Sequence, residues 1–218
     1  MKMNKKLRRI LLTVCSAALL VCVTVGATVA YLTSTDTVTN TFTVGKVAIT
    51  LDEAKVNNAG EPIDDDGNVV DVSAAKRVTA NSYKLMPGHT YTKDPIVHVD
   101  SASENCWLFV KVENGIADIE DSTNTIAAQL AAKGWTAVDG ATNVYAYKST
   151  VAGGANVPVF ESFKIDQSVI GGNKPVDYVG ENKYLGDYTD KKIVVTAYAI
   201  QADGFDDAAA AWTAYAAK

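Results

Sequence analysis

The one cluster of residues in this chain with obvious ligand chemistry is Asp64-Asp65-Asp66-Gly67-Asn68-x-x-Asp71. Carboxylates and an amide carbonyl are hard oxygen donors of the kind calcium takes, and Asp64-x-Asp66-x-Asn68 opens with the spacing of a calcium loop. The pattern then departs from such a loop. The sixth position is Val69 instead of Gly, and the twelfth is Ala75 instead of Glu. Asp64, Asp66, Asn68 and Asp71 are therefore candidate calcium ligands set against a plainer expectation, a solvated acidic hairpin tip. Other chemistry is thin. The two histidines, His89 and His98, belong to no His-Glu-x-x-His pair, and there is neither a Gly-x-Ser-x-Gly elbow nor a phosphate loop. His98 alternates with Ile96 and is expected to point out of a strand. Cys106, in Cys106-Trp107-Leu108-Phe109-Val110, reads as a packing residue and not as an activated thiol. Catalytic residues are expected to be none, and no cofactor is implied beyond calcium.

The elements around these residues begin with an export signal. Lys2, Lys5, Lys6, Arg8 and Arg9 precede the uncharged run Ile10 to Ala30, the positive and apolar regions that a secretion machinery reads. At 21 residues the run also suffices to span a bilayer as a helix. Its small-residue end, Gly26-Ala27-Thr28-Val29-Ala30, suits a signal peptidase. Cleavage is expected between Ala30 and Tyr31, with Ala27 an alternative site, and retention as an anchor is the competing outcome. A lipoprotein site is excluded because Cys15 and Cys22 both follow Val.

Five of the 20 basic residues lie in this leader, so residues 31–218 keep 15 basic against 25 acidic residues, a formal charge of −10. Nucleic acid is not an expected partner of such a surface. Only Cys106 survives cleavage, which leaves no intramolecular disulfide. The remaining length fits one domain able to bury about 70% of its unfolded surface.

Past the leader the chain reads as mostly β. Strands are predicted at Val47 to Leu51, Tyr83 to Met86, Ile96 to Val99, Trp107 to Val112, Trp135 to Val138, Val144 to Lys148, Val157 to Ile165 and Lys192 to Ala202. Residues 52–80 lose periodicity and read as an insertion loop with a hairpin at Asp66-Gly67-Asn68. Pro87-Gly88 marks a turn. Cys106, Leu108, Val110 and Val112 share one face. In the last strand neither face is strongly polar, which predicts a central position in a two-layer structure. A helix over Ile126 to Lys133 should be capped by Asp121-Ser122 and stopped at Gly134. A second helix should close the chain at Asp206 to Ala216. Trp107, Phe109, Tyr145, Tyr147, Phe160, Phe163 and Tyr198 are expected as core or cross-strand residues, with a carbohydrate-binding stripe as the alternative. The pattern points to a jelly-roll-like β-sandwich over residues 31–218, behind an N-terminal signal or transmembrane helix.

The stretch from Ala27-Thr28-Val29-Ala30-Tyr31-Leu32-Thr33 to Asn40-Thr41-Phe42-Thr43-Val44-Gly45 resembles the TasA/camelysin group of exported proteins. These have a small-residue cut site, an aromatic residue after it, and Asn-Thr-Phe-x-x-Gly about ten residues on. Leu85-Met86-Pro87-Gly88 and Lys93-Asp94-Pro95 resemble the group's later Pro-Gly turn. The resemblance implies processing by a signal peptidase of the endoplasmic-reticulum type and an extracellular or cell-surface location. It further implies a jelly-roll subunit of biofilm matrix fibres, in which the N-terminal strand completes the sheet of the next subunit. Here Tyr31 to Val44 would be that strand, with Tyr31, Leu32, Val38, Phe42 and Val44 as its assembly residues. The partners would be further copies in a head-to-tail polymer, or related matrix subunits. Camelysin-like members have been described as metalloproteases, so a cell-surface metalloendopeptidase is the rival reading, and a calcium-dependent adhesin a third.

Overall fold

The computed structural model describes Lys6 and residues 46–217. The leader, the cleavage site Ala30–Tyr31 and the strand residues Tyr31, Leu32, Val38, Phe42 and Val44 lie outside the described residues. Among the described residues no helix is long and apolar enough to cross a membrane.

The described chain is mostly β, with antiparallel sheets and two helices. Ten strands follow one another as β1 (Ile49–Ala54), β2 (Arg77–Val78), β3 (Thr90–Thr92), β4 (Ile96–Val99), β5 (Cys106–Asn114), β6 (Trp135–Ala137), β7 (Val144–Tyr147), β8 (Asn156–Pro158), β9 (Ser162–Lys164) and β10 (Ile193–Gln201). Helix α1 (Ile126–Ala132) lies between β5 and β6, and α2 (Ala208–Ala216) follows β10. One sheet has the order β2-β1-β4-β8, a second β10-β5-β7-β6, and β3 pairs with β9.

Both four-stranded sheets contribute to one core. Val97 and Val99 from β4 and Val157 from β8 meet Leu108, Val110 and Val112 from β5, with Trp135 and Phe163. The alternation in β5 is as the sequence predicts: Cys106, Leu108, Val110 and Val112 are all buried. Phe109, on the opposite face, is buried as well, because α2 covers it with Ala211 and Trp212.

Four local expectations need correction. Tyr83 to Met86 is not a strand. Its backbone is held instead by Lys84 N donating to Asn58 O at 2.9 Å and by the Tyr91 hydroxyl, which donates to Lys84 O at 2.8 Å and accepts from Met86 N at 2.7 Å. Val157 to Ile165 is two strands, β8 pairing with β4 and β9 with β3. The chain turns between them where Gln129 of α1 accepts from Glu161 N and Ser162 N and donates to Ser162 O. The cap of α1 is Thr125, which accepts from Ala128 N at 3.2 Å. Asp121 is engaged by Thr123 and by Lys164 at 2.7 Å, and the bond from Lys164 first holds its carboxyl far below the usual range. Finally, β10 is no central strand: among the described residues it pairs on one side only, with β5. Its two apolar faces have another cause. Ile193, Val195, Ala197 and Ala199 pack on the core, and Tyr198 and Ile200 lie under α2.

Candidate functional site

The residues singled out for chemistry are mostly committed to structure. In the acidic loop, one Asp64 carboxylate oxygen accepts from Asp66 N at 3.0 Å and Asn68 N at 2.9 Å, and the other from Asn68 Nδ2 at 3.2 Å. These bonds, led by those from Asn68, hold the Asp64 carboxyl below its ordinary range. Gly67, at φ 86°, supplies the left-handed turn that only glycine adopts cheaply. Asp65 pairs with Lys76 at 2.5 Å, and Asp71 precedes a short 3-10 turn at Val72–Ala74 without a side-chain cap bond. So Asp64 and Asn68 are brought together to close the turn, with Asp66 joining through its backbone and Asp71 standing apart. Cys106 is a free, fully buried thiol, and burial pushes its pKa up.

His89 donates through Nε2 to Ala59 O at 2.8 Å and packs edge-on against Tyr91. His98 is the third member of a polar row that crosses all four strands of the first sheet. Arg77 on β2 donates through Nε to Asp52 Oδ1 on β1 at 2.9 Å. His98 Nε2 on β4 reaches the same oxygen at 2.9 Å, and His98 Nδ1 faces Asn156 Oδ1 on β8 at 2.7 Å. Burial works against the His98 proton, but the bonds to Asp52 and Asn156 outweigh it and raise the pKa above 6.5. Burial likewise opposes the Asp52 charge, and the bonds from His98 and Arg77 outweigh that and lower its pKa below 3.8. The stabilisation from His98 is therefore fully present below pH 6.5 and is lost as pH rises through its raised value. That from Asp52 is present above pH 3.8 and is lost as pH falls further. Thermal melts of the wild type should accordingly weaken as pH rises from 6.5 through the raised His98 value. A His98→Asn variant should lack that decline, and an unchanged slope would contradict the assignment.

The feature with the shape of a binding site is the outer edge of β10. In an antiparallel ladder, hydrogen-bonded and non-bonded residue pairs alternate. Gly115 N donates to Lys192 O and Ala202 N to Asn105 O, so the even residues Val194, Thr196, Tyr198 and Ile200 turn their backbone groups to β5. The odd residues Ile193, Val195, Ala197 and Ala199 direct theirs to the side that has no paired strand among the described residues. Nine residues long, β10 is far longer than β2, β6 or β8, the other sheet-end strands.

Beside this edge lies a cavity of about 1020 Å³. Leu51, Asp52 and Glu53 of β1 line one side of it, and Ile193, Val194 and Val195 of β10 the other. Tyr83 and Phe163 add an aromatic wall, their rings 5.1 Å apart at 79°. The Tyr83 hydroxyl donates to Thr92 O at 3.1 Å. Burial first, and then the charges of Glu53 and Asp94, raise its pKa far above 10.

Buried charged groups are set into the wall of this space. Glu53 is 5% exposed and Lys93 7%, and they pair at 2.5 Å. Asn81 Nδ2 donates to the second Glu53 oxygen at 2.9 Å. Behind them Arg77 donates to Asp94 Oδ2 at 2.6 Å and to the carbonyls of Asp52 and Asp94, each at 3.1 Å. The other Asp94 oxygen accepts from Ala54 N at 2.6 Å. The sequence reading missed Glu53 and Lys93. The signal was available in the alternation Ile49-x-Leu51-x-Glu53, which continues the inward face of β1 to an acid.

Among the described residues, no three His, Cys, Asp or Glu side chains are grouped so as to hold a metal ion. No curated protein and no solved structure matches the chain. The family model of the camelysin metallo-endopeptidases matches residues 3–65. Within the folded domain that match takes in β1 and the loop as far as Asp65. The resemblance to the TasA/camelysin family carried by the N-terminal sequence is thus matched by that family model over the same stretch.

Proposed function

We propose that this protein is an exported structural subunit of jelly-roll type. In this reading the open edge of β10 accepts the N-terminal strand, Tyr31 to Val44, of a second copy, and repetition gives a head-to-tail matrix fibre. The observation that carries it is the nine-residue edge strand bordering a cavity of mixed polar and apolar lining. Such an edge is a template for a further strand, which gains backbone hydrogen bonds along it and places alternate side chains in pockets. A contact between unlike surfaces that does not close on itself extends as a filament. The leader is removed after Ala30 in this reading, and the acidic surface keeps subunits soluble until they meet.

The test is negative-stain microscopy and pelleting of the form beginning at Tyr31, beside one lacking Tyr31 to Thr39. Fibres from the first and none from the second are expected. Fibres from both, or from neither across concentration and pH, would remove strand donation as the function.

The family's description favours a second reading, a metallo-endopeptidase. Against it, His89 is engaged by Ala59 and Tyr91 and His98 by Asp52 and Asn156, and among the described residues no three His, Cys, Asp or Glu side chains are grouped so as to hold a metal ion. Chelator-sensitive proteolysis lost in His89→Ala or His98→Ala would establish that reading over the structural one.

A further inference from the structure

The Glu53–Lys93 pair is an odd resident of an inter-sheet space. A buried ion pair is often no more stabilising than apolar residues of the same volume, and where it is retained it can serve specificity. Its hydrogen bonds do not balance. Both Glu53 oxygens are taken, one by Lys93 and one by Asn81. The Lys93 ammonium has three donors and, among the described residues, a single acceptor, Glu53. A side chain this well buried, on the wall of a cavity, with two donors to spare calls for an acceptor from the cavity's occupant.

Resting on the strand-donation reading above, we propose that this pair fixes the register of the seated strand by taking the side-chain carbonyl of Asn40 from the second copy. In residues 31–44 every odd position from Thr33 to Thr43 is threonine, while the even positions read Leu32, Ser34, Asp36, Val38, Asn40, Phe42 and Val44. Successive side chains in a strand point to opposite faces, so the even set, which holds the apolar residues, is the one that turns into the cavity. Its polar members are Ser34, Asp36 and Asn40. Asp36 would set a second carboxylate against one ammonium and leave buried net charge, whereas Asn40 accepts from Lys93 and keeps the site neutral. Asn40 is also flanked on its own face by Val38 and Phe42, which suit the walls formed by Tyr83, Phe163 and Val195. A slip of two residues would put Val38 or Phe42 on the ammonium and bury the amide among apolar groups. Both errors are penalised, and that is how a buried polar pair selects one alignment.

The test uses the form beginning at Tyr31 and measures the lowest concentration that yields pelletable fibres. Asn40→Leu should raise it about tenfold or more, the effect of losing a hydrogen bond to a charged group. Ser34→Leu, the same change on the same face, should raise it by less than about threefold. In a Lys93→Met background, Asn40→Leu should cost nothing further. Equal effects of the two leucine variants, or an undiminished Asn40→Leu effect in the Lys93→Met background, would overturn the register proposal. If Lys93→Met does not fold, the comparison of the two strand variants decides, each first shown to fold by circular dichroism. Assembly that needs Tyr31 to Thr39 but ignores Asn40→Leu sinks the register alone. Assembly that ignores the deletion sinks the strand reading and the register with it.

Discussion

Ala197→Pro is expected to abolish fibre formation while leaving the domain folded, whereas Thr196→Pro, one residue away, should unfold it. The contrast follows from the parity of β10. Thr196 sits opposite Lys111 and shares the hydrogen-bonded parity set by Lys192–Gly115 and Ala202–Asn105, so its N–H belongs to the ladder with β5. Proline there deletes that donor and leaves the Lys111 carbonyl without its partner, at about 1–3 kcal/mol. The ring also intrudes between the two strands. Ala197 has the opposite parity, and its N–H faces the open side, where proline is tolerated in edge strands. A guest strand loses that donor and meets the ring in its path. The lowest concentration for fibres should rise at least about a hundredfold, the equivalent of roughly 3 kcal/mol. Pelleting measures the first effect and circular dichroism with thermal melting the second. Fibres from Ala197→Pro at wild-type concentrations would show that β10 is not the accepting edge.

The second large effect is on stability. Arg77→Ala should cost about 3 kcal/mol, the lower end of what breaking a buried ion pair does. Arg77 ties β2, β1 and the approach to β4 together through four bonds, to the side chains of Asp52 and Asp94 and to both their carbonyls. Its removal leaves the Asp94 carboxylate, 13% exposed, with Ala54 N as its remaining partner. The lower end applies because the Arg77 side chain is itself 28% exposed. For a domain of this size the loss corresponds to a fall in Tm of about 6–12 °C. Arg77→Lys should recover only part of it, since a point ammonium cannot reproduce the planar fork that serves both acids. A fall under about 2 °C for the alanine variant would mean that the clamp is ornamental and that β2 is held by its backbone.

What the sequence revealed of this fold, and what it hid, divides by the range of the interactions involved. The alternation of Cys106, Leu108, Val110 and Val112, the span Ile96 to Val99 and the Gly134 stop of α1 are local patterns, and the structure reproduces them. The break at Pro158 to Glu161 depends on Gln129, some thirty residues earlier, so no window along the chain contains its cause. The position of β10 was misread for a similar reason. Two apolar faces look alike whether a strand is flanked by neighbours or roofed by a helix, and α2 is the roof. The candidate site was hidden most completely. Its edge is a matter of sheet order, and the inward acid Glu53 finds its partner Lys93 forty residues away.

The long antiparallel pairing of β5 with β10 has a mechanical meaning. Its register runs without a gap from Ile193 opposite Asn114 to Gln201 opposite Cys106, and the bonds of such a ladder stand across the strand direction. A pull along β10 therefore loads all of them in shear at once instead of peeling them one by one. A guest strand gripping the opposite edge of β10 would pass its tension through this seam, so under the proposed strand donation a fibre would stretch elastically before any single domain gave way.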